Sequence, residues 1–183
     1  MEETGAHRLR QPLRLKTVDL LIREVMADDA AAVVAIFNPI IEAGAYTAFD
    51  APFTVEAERS YIGTLPERAI FLVAERVADG VVVGFQSLEP FATYTRAFAH
   101  VGVLGTYVDL ECRRQGVAGR LFQATFLAAR AKAYEKLLTY IRADNAPALA
   151  AYLRQGFRVV GTAQRQAKVR GRYVDEVIVE RFL

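Results

Sequence analysis

Apolar positions along this chain come in two patterns, short continuous runs and helical spacings, and their alternation lays out an α/β order. Leu20-Leu21-Ile22-Arg23 reads as a first strand. Asp28 is placed to cap a helix on which Val33, Ile36, Phe37 and Ile40 recur at helical spacing, and Pro39 should kink or end it. Thr54 opens a second helix over 54–65, with Ala57 and Tyr61 on one face. Residues 70–74 and 81–85 are apolar runs joined by Ala78-Asp79-Gly80, a hairpin signal. Residues 100–109 form a further strand, in which Gly102 and Gly105 mark a bulge or a close backbone approach.

Residues 116–133 follow as a long helix. Its two apolar rows, Val117/Leu121/Ala128 and Phe122/Phe126/Ala129, predict burial on more than one side. A strand over 137–141, a helix over 145–155 closed by Gly156, and a strand over 157–161 come next. The last strand, 173–182, follows a turn at Gly171. The order β-α-α-β-β-β-α-β-α-β-β mixes hairpins with crossovers and predicts an α/β fold on a mixed sheet.

Composition narrows the function more than the fold. The chain has 183 residues, enough for one well-filled domain, read here as 19–183 behind a polar, disordered tail over 1–18. A net charge of +2 with interspersed signs lacks the basic face that nucleic acid requires. Cys112 is the only cysteine and His7 and His100 the only histidines, so no metal site is expected. The lone cysteine and the absence of an apolar leader in the first residues fit a cytoplasmic setting. Apolar stretches are strand-sized and none spans a membrane.

Two segments carry candidate chemistry. In the first, a strand ends at Thr106-Tyr107-Val108 and a basic turn, Arg113-Arg114-Gln115, leads into Gly116-Val117-Ala118-Gly119-Arg120. Small residues there let the backbone close on a ligand, and a helix start leaves N–H groups without partners. With Arg113, Arg114 and Arg120 these donors make a site for a pyrophosphate. Neither a Walker A ending nor a full dinucleotide fingerprint is present. In the second, Asn145 is suited to cap a helix that places Ala148 and Tyr152 on one face and stops at Gly156.

Together the two segments resemble the GNAT N-acetyltransferases. Arg113-Arg114-Gln115-Gly116-Val117-Ala118 is similar to that superfamily's pyrophosphate loop, and the stretch from Asn145 to Phe157 matches its Asn-x-x-Ala-x-x-x-Tyr-x-x-x-Gly-Phe element. Ile36-Phe37-Asn38, Thr47-Ala48-Phe49-Asp50, Val83-Gly84-Phe85, Pro90-Phe91 and Gly171-Arg172-Tyr173-Val174-Asp175 resemble the phosphinothricin and methionine-sulfoximine acetyltransferase group. The resemblance implies the GNAT fold, a mixed sheet of about seven strands flanked by about four helices. It implies acetyl-CoA as donor and a small amino-acid-like amine as acceptor, with a homodimer as the working unit. Other amines, or an acyl-CoA-binding module without turnover, are the competing readings.

By the same resemblance, Thr106, Tyr107 and Val108 serve the pantetheine amides, Arg114 to Gly119 wrap the pyrophosphate, and Asn145 reaches the pantetheine side. Tyr152 would be the general acid for the departing thiolate. Phe37, Asn38 and Phe49 would shape the acceptor site. One departure stands out. The group's glutamate, four residues before the tyrosine of the Tyr-Val pair, is replaced here by Val103. The amine must then lose its proton to a more distant group, to water, or before binding. Glu89 and His100 are the nearest ionisable candidates for that base.

Overall fold

The computed structural model describes residues 18–183. The tail expected over 1–18 therefore lies, apart from Val18, outside the described residues. Eleven main elements follow the expected order: β1 (Leu20–Glu24), α1 (Ala30–Glu42), α2 (Val55–Gly63), β2 (Ile70–Arg76), β3 (Val82–Pro90), β4 (Val101–Val108), α3 (Val117–Ala131), β5 (Lys136–Arg142), α4 (Ala146–Arg154), β6 (Arg158–Val169) and β7 (Arg172–Phe182). The strands form one seven-stranded sheet in the order β1-β2-β3-β4-β5-β7-β6. Every neighbouring pair is antiparallel except β4 and β5, which α3 joins as a crossover.

Each face of the sheet has its own core. On one face α3 and α4 cover Leu88, Leu104 and Leu137 with Leu121, Phe122, Phe126 and Tyr152. On the other, Val33, Ile36, Phe37 and Ile40 of α1 and Ile62 of α2 cover Phe71, Val73 and Phe85. Each such aliphatic or aromatic side chain contributes roughly 1.5–3 kcal/mol on leaving water. Strand alternation assigns the sides: Gly84, Gln86 and Leu88 face α3, while Phe85, Ser87 and Glu89 face α1 and α2.

Several expectations are corrected. Pro39 neither ends nor breaks α1, which runs on to Glu42. Pro39 and Ala35, whose carbonyl loses its helical donor, are both exposed, so water takes the lost bond. Asp28 does not cap α1. The residue at that boundary is Asp29, whose carboxylate accepts from the Met26 N–H and pairs with Arg23. The two rows on α3 merge into one broad buried stripe, and Leu127 opposite is 70% exposed. β6 is more than twice the expected length. Beyond Ala163 it continues with β7 as a two-stranded ribbon that β5 does not reach, where polar residues on both sides conceal the strand pattern. Gly102 marks a close approach: a Cβ there would stand 2.8 Å from Leu88 Cδ2.

Candidate active site

The site begins where two strands part. β4 pairs with β3 from Gly102 to Val108, but with β5 only over Val101, Gly102 and Val103. From Leu104 to Val108 the β5-facing edge of β4 has no ladder partner, and β5 from Thr139 to Arg142 pairs with β7 alone. Backbone donors and acceptors facing such a slot require a ligand or water. Thr106, Tyr107 and Val108 lie on this free edge.

Tyr152 of α4 closes the slot from the α3 side. Its hydroxyl lies 2.9 Å from Thr106 Oγ1 on β4. Phe122 and Phe157 hold its ring edge-on at 5.0 and 5.1 Å. Burial raises the phenol well above its ordinary range, so it stays a proton donor at neutral pH. The neighbouring Gln86 amide donates to Thr106 Oγ1 at 2.6 Å. That leaves the Thr106 hydroxyl proton free to point at Tyr152 and the Tyr152 proton free to point elsewhere. Gln86 Oε1, wholly buried, has no hydrogen-bond partner among the described residues. An unpaired strand edge beside the Tyr152 hydroxyl fits the amide-bearing arm of a thioester donor.

At the far end of β4 the chain tightens into the basic turn. Asp109 accepts from the Glu111 N–H, and Arg114 and Gly116 both adopt left-handed backbone conformations, φ 62° and 86°. The turn sets up α3, whose first ladder bond runs from Arg120 N–H to Gly116 O. The N–H groups of Val117, Ala118 and Gly119 precede that ladder. A Cβ at Gly116 would meet nothing within 4 Å, and one at Gly119 only Gln155 Nε2 at 4.0 Å. The helix start is therefore open to an anion. The three arginines separate. Arg114 is exposed beside the opening, Arg113 stacks on the Tyr46 ring at 4.1 Å, and Arg120 donates to the Leu20 carbonyl of β1. Gln115 folds back onto the Glu111 carbonyl.

Asn145 uses both ends of its amide on protein. Oδ1 accepts from the Ala148 N–H as the α4 cap, and Nδ2 donates to the Tyr46 carbonyl, tying α4 to the α1–α2 loop. Asn38 is likewise engaged, bonding both N–H and C=O of Phe53. Phe37 is a buried hub, touching Phe49, Phe53, Phe85 and Tyr107, while Phe49 is half exposed above it. Burial lifts the Tyr107 phenol to about 12. Asp175 accepts from the Arg165 N–H at an irregularity in β6, satisfying that turn.

The two base candidates part company. His100 is exposed at the foot of β4, where its carbonyl accepts from Glu135 and Lys136. Glu89 of β3 is the direct cross-strand partner of Val103, and accepts a hydrogen bond from the Tyr61 hydroxyl of α2. Tyr61 has no place in the sequence reading; only its helical position was legible. No group of three or more His, Cys, Asp or Glu side chains that could hold a metal occurs among the described residues.

Known proteins share the fold. The Acetyltransferase (GNAT) family profile matches residues 40–157. YwnH of Bacillus subtilis, provisionally named a phosphinothricin acetyltransferase, is 31% identical over 85% of this chain and 94% of its own length. An L-amino acid N-acetyltransferase of Escherichia coli is 30% identical over 56% of this chain and 63% of its own. The crystal structure of a ribosomal-protein-alanine N-acetyltransferase from Brucella melitensis superposes with a TM-score of 0.81 at 29% identity, covering 89% of this chain and 99% of that one. The matching family and the fold define an acyltransferase. The chain belongs to the acetyltransferase (GNAT) family, and its acyl donor is acetyl-CoA. No helix among the described residues is long and apolar enough to cross a membrane.

Proposed function

We propose that this enzyme moves the acetyl group of acetyl-CoA directly to the primary amine of a small, amino-acid-like acceptor. The observation that carries the reading is the Tyr152 hydroxyl set against Thr106 Oγ1, beside the gap where β4 and β5 separate. Acetyl-CoA supplies an activated carbonyl with a thiolate leaving group. The free edge at Thr106, Tyr107 and Val108 holds the pantetheine amides. The amides of Val117, Ala118 and Gly119, with Arg114, receive the pyrophosphate. Asn145 and Ala148 fix the α4 start, and through it Tyr152. Tyr152 gives its proton to the sulfur as charge develops there, and the Thr106 hydroxyl then stabilises the phenolate oxygen.

The acceptor class rests on the relatives' names, which specify phosphinothricin and L-amino acids. Phe37 and Phe49 form an aromatic wall, and Asn38 fixes the loop that carries it. The neighbouring protein-alanine transferase makes a peptide N-terminus the second reading. Thiol release from acetyl-CoA over a panel of amino acids, phosphinothricin, methionine sulfoximine, polyamines and peptides tests both. Turnover confined to small amino acids is expected; turnover only with peptides moves the assignment to the second. A cytoplasmic homodimer accompanies this reading, and sedimentation of the full chain at twice its 20.3 kDa mass is expected.

A further inference from the structure

Glu89 stands directly across from Val103, and cross-strand partners carry their side chains on the same face, with Cβ atoms about 4.5–5.5 Å apart. That level of β4 is where its ladder to β5 stops, so the pair borders the end of the slot. By strand alternation Glu89 faces α1 and α2, opposite to Thr106 and Tyr152. One Glu89 oxygen is taken by the Tyr61 hydroxyl, and the other has no hydrogen-bond partner among the described residues. Phe71 braces the Tyr61 ring at 6.2 Å.

A second carboxyl lies one turn back on α2. Glu58 is 6% exposed, yet no hydrogen bond or ion pair reaches its carboxylate among the described residues. Elsewhere the chain pairs its buried carboxylates: Asp29 with Arg23, and Glu180 with Lys136 and Arg158. Burying a charge without a counter-ion is costly, and burial indeed raises the Glu58 carboxyl. Glu58 stands three residues before Tyr61 on α2, and no salt bridge among the described residues includes Glu58 or Glu89. Two unpaired carboxyls around a phenol make a place for a cation that the protein does not supply.

We propose that Glu58, Tyr61 and Glu89 form the receptor for the acceptor's ammonium group, with Glu89 as the base and Tyr61 as the positioning residue that aims it. This rests on the transferase reading above. The ammonium passes one proton to the free Glu89 oxygen. The released nitrogen pair forms the C–N bond as the C–S bond breaks and Tyr152 protonates the departing sulfur; the new amide then gives up its second amine proton, which restores the Tyr152 phenol through water, and Glu89 returns its own proton to water. The base thus sits on β3, one strand over from the position that Val103 occupies.

The test is the pH profile of kcat/KM in the full-length enzyme, using the best amine of the panel. Glu89→Gln lowers kcat/KM by roughly 100-fold or more and removes the acid limb of the profile. Tyr61→Phe lowers kcat about tenfold with the KM for the amine little changed, because the Glu89 carboxylate loses the hydroxyl that aims it. Affinity for acetyl-CoA is unchanged in both. Adding Val103→Glu to Glu89→Gln restores at least a tenfold part of the loss, since the carboxylate returns to the same face; this also keeps the proposal testable if Tyr61→Phe misfolds. Folded Glu89→Gln and Tyr61→Phe variants with the wild-type profile overturn the receptor and leave the transferase standing. A wild type that releases no thiol with any amine overturns both.

Discussion

Placing a carboxylate at Gly119 separates the stability of α3 from its anion-binding use. Gly119 is the third residue of α3, and a Cβ there has open space up to Gln155 Nε2 at 4.0 Å. Gly119→Glu removes a helical glycine, worth about 0.5–1 kcal/mol. It also sets a negative charge against the positive end of the helix, worth about 0.3–1 kcal/mol more. The two effects add, so the free protein should be about 1–2 kcal/mol more stable than the wild type, which raises Tm by roughly 2–8 °C in a chain of this size. Binding moves the other way. A carboxylate about 4 Å from a phosphate charge repels it by about 1 kcal/mol in water and about 4 kcal/mol at the effective dielectric near a protein surface. Loss of one helix N–H to the new side chain adds to this. Acetyl-CoA affinity should fall roughly 30- to 1000-fold, near 2–4 kcal/mol. Isothermal titration and calorimetric melting of the same preparation read both quantities. Unchanged affinity in a folded variant would refute the assignment of the α3 start to the pyrophosphate. Gly116 is a poorer place for this test, because its φ of 86° makes any side chain strained before a ligand is added.

Tyr152→Phe should lower kcat by roughly 10- to 1000-fold with acetyl-CoA affinity little changed, since it removes a proton donor and leaves the ring packing; wild-type kcat would remove Tyr152 from the mechanism. Gly102→Ala should destabilise by about 1–3 kcal/mol in denaturant melts, because its Cβ would stand 2.8 Å from Leu88 and 3.2 Å from Tyr134, both fully buried. The Arg23 guanidinium and the Met26 N–H hold the Asp29 carboxyl below its ordinary range. A depressed carboxyl contributes stability above its unfolded pKa and loses it as pH falls through the folded one. Asp29→Asn should thus be destabilised at neutral pH by about 1–3 kcal/mol, with the gap closing below about pH 4; a constant gap down to pH 2 would contradict this.

Legibility in this chain followed the range of the interactions. Helix starts, hairpin turns and apolar periods are set within a few residues, so the order of all eleven main elements could be read along the chain. The GNAT segments were legible for the same reason. A pyrophosphate turn and a capped helix each need their residues at fixed local spacing, and Gly116, Gly119, Asn145 and Tyr152 keep it. Errors fell where local preference gave way to surroundings. Pro39 is tolerated because solvent serves the carbonyl it strands, and the outer part of β6 is held by β7 despite its polar sequence.

Long-range pairing decided the rest. That β4 leaves β5 after Val103 follows from the register of three strands, and no residue in the segment announces it. Arg113 and Arg120 look equivalent to Arg114 in a row of basic residues, yet Tyr46 and the Leu20 carbonyl hold them. The loss of a carboxylate at Val103 reads along the chain as a missing function. In the sheet, Glu89 arrives beside that position from another strand and Tyr61 meets it from a helix 28 residues earlier. A proton acceptor is defined by where its oxygen stands, and several backbone segments can deliver an oxygen to one place. Residue type and local spacing therefore determined the elements and the donor motifs, while only the tertiary structure could decide which side chains meet at the slot.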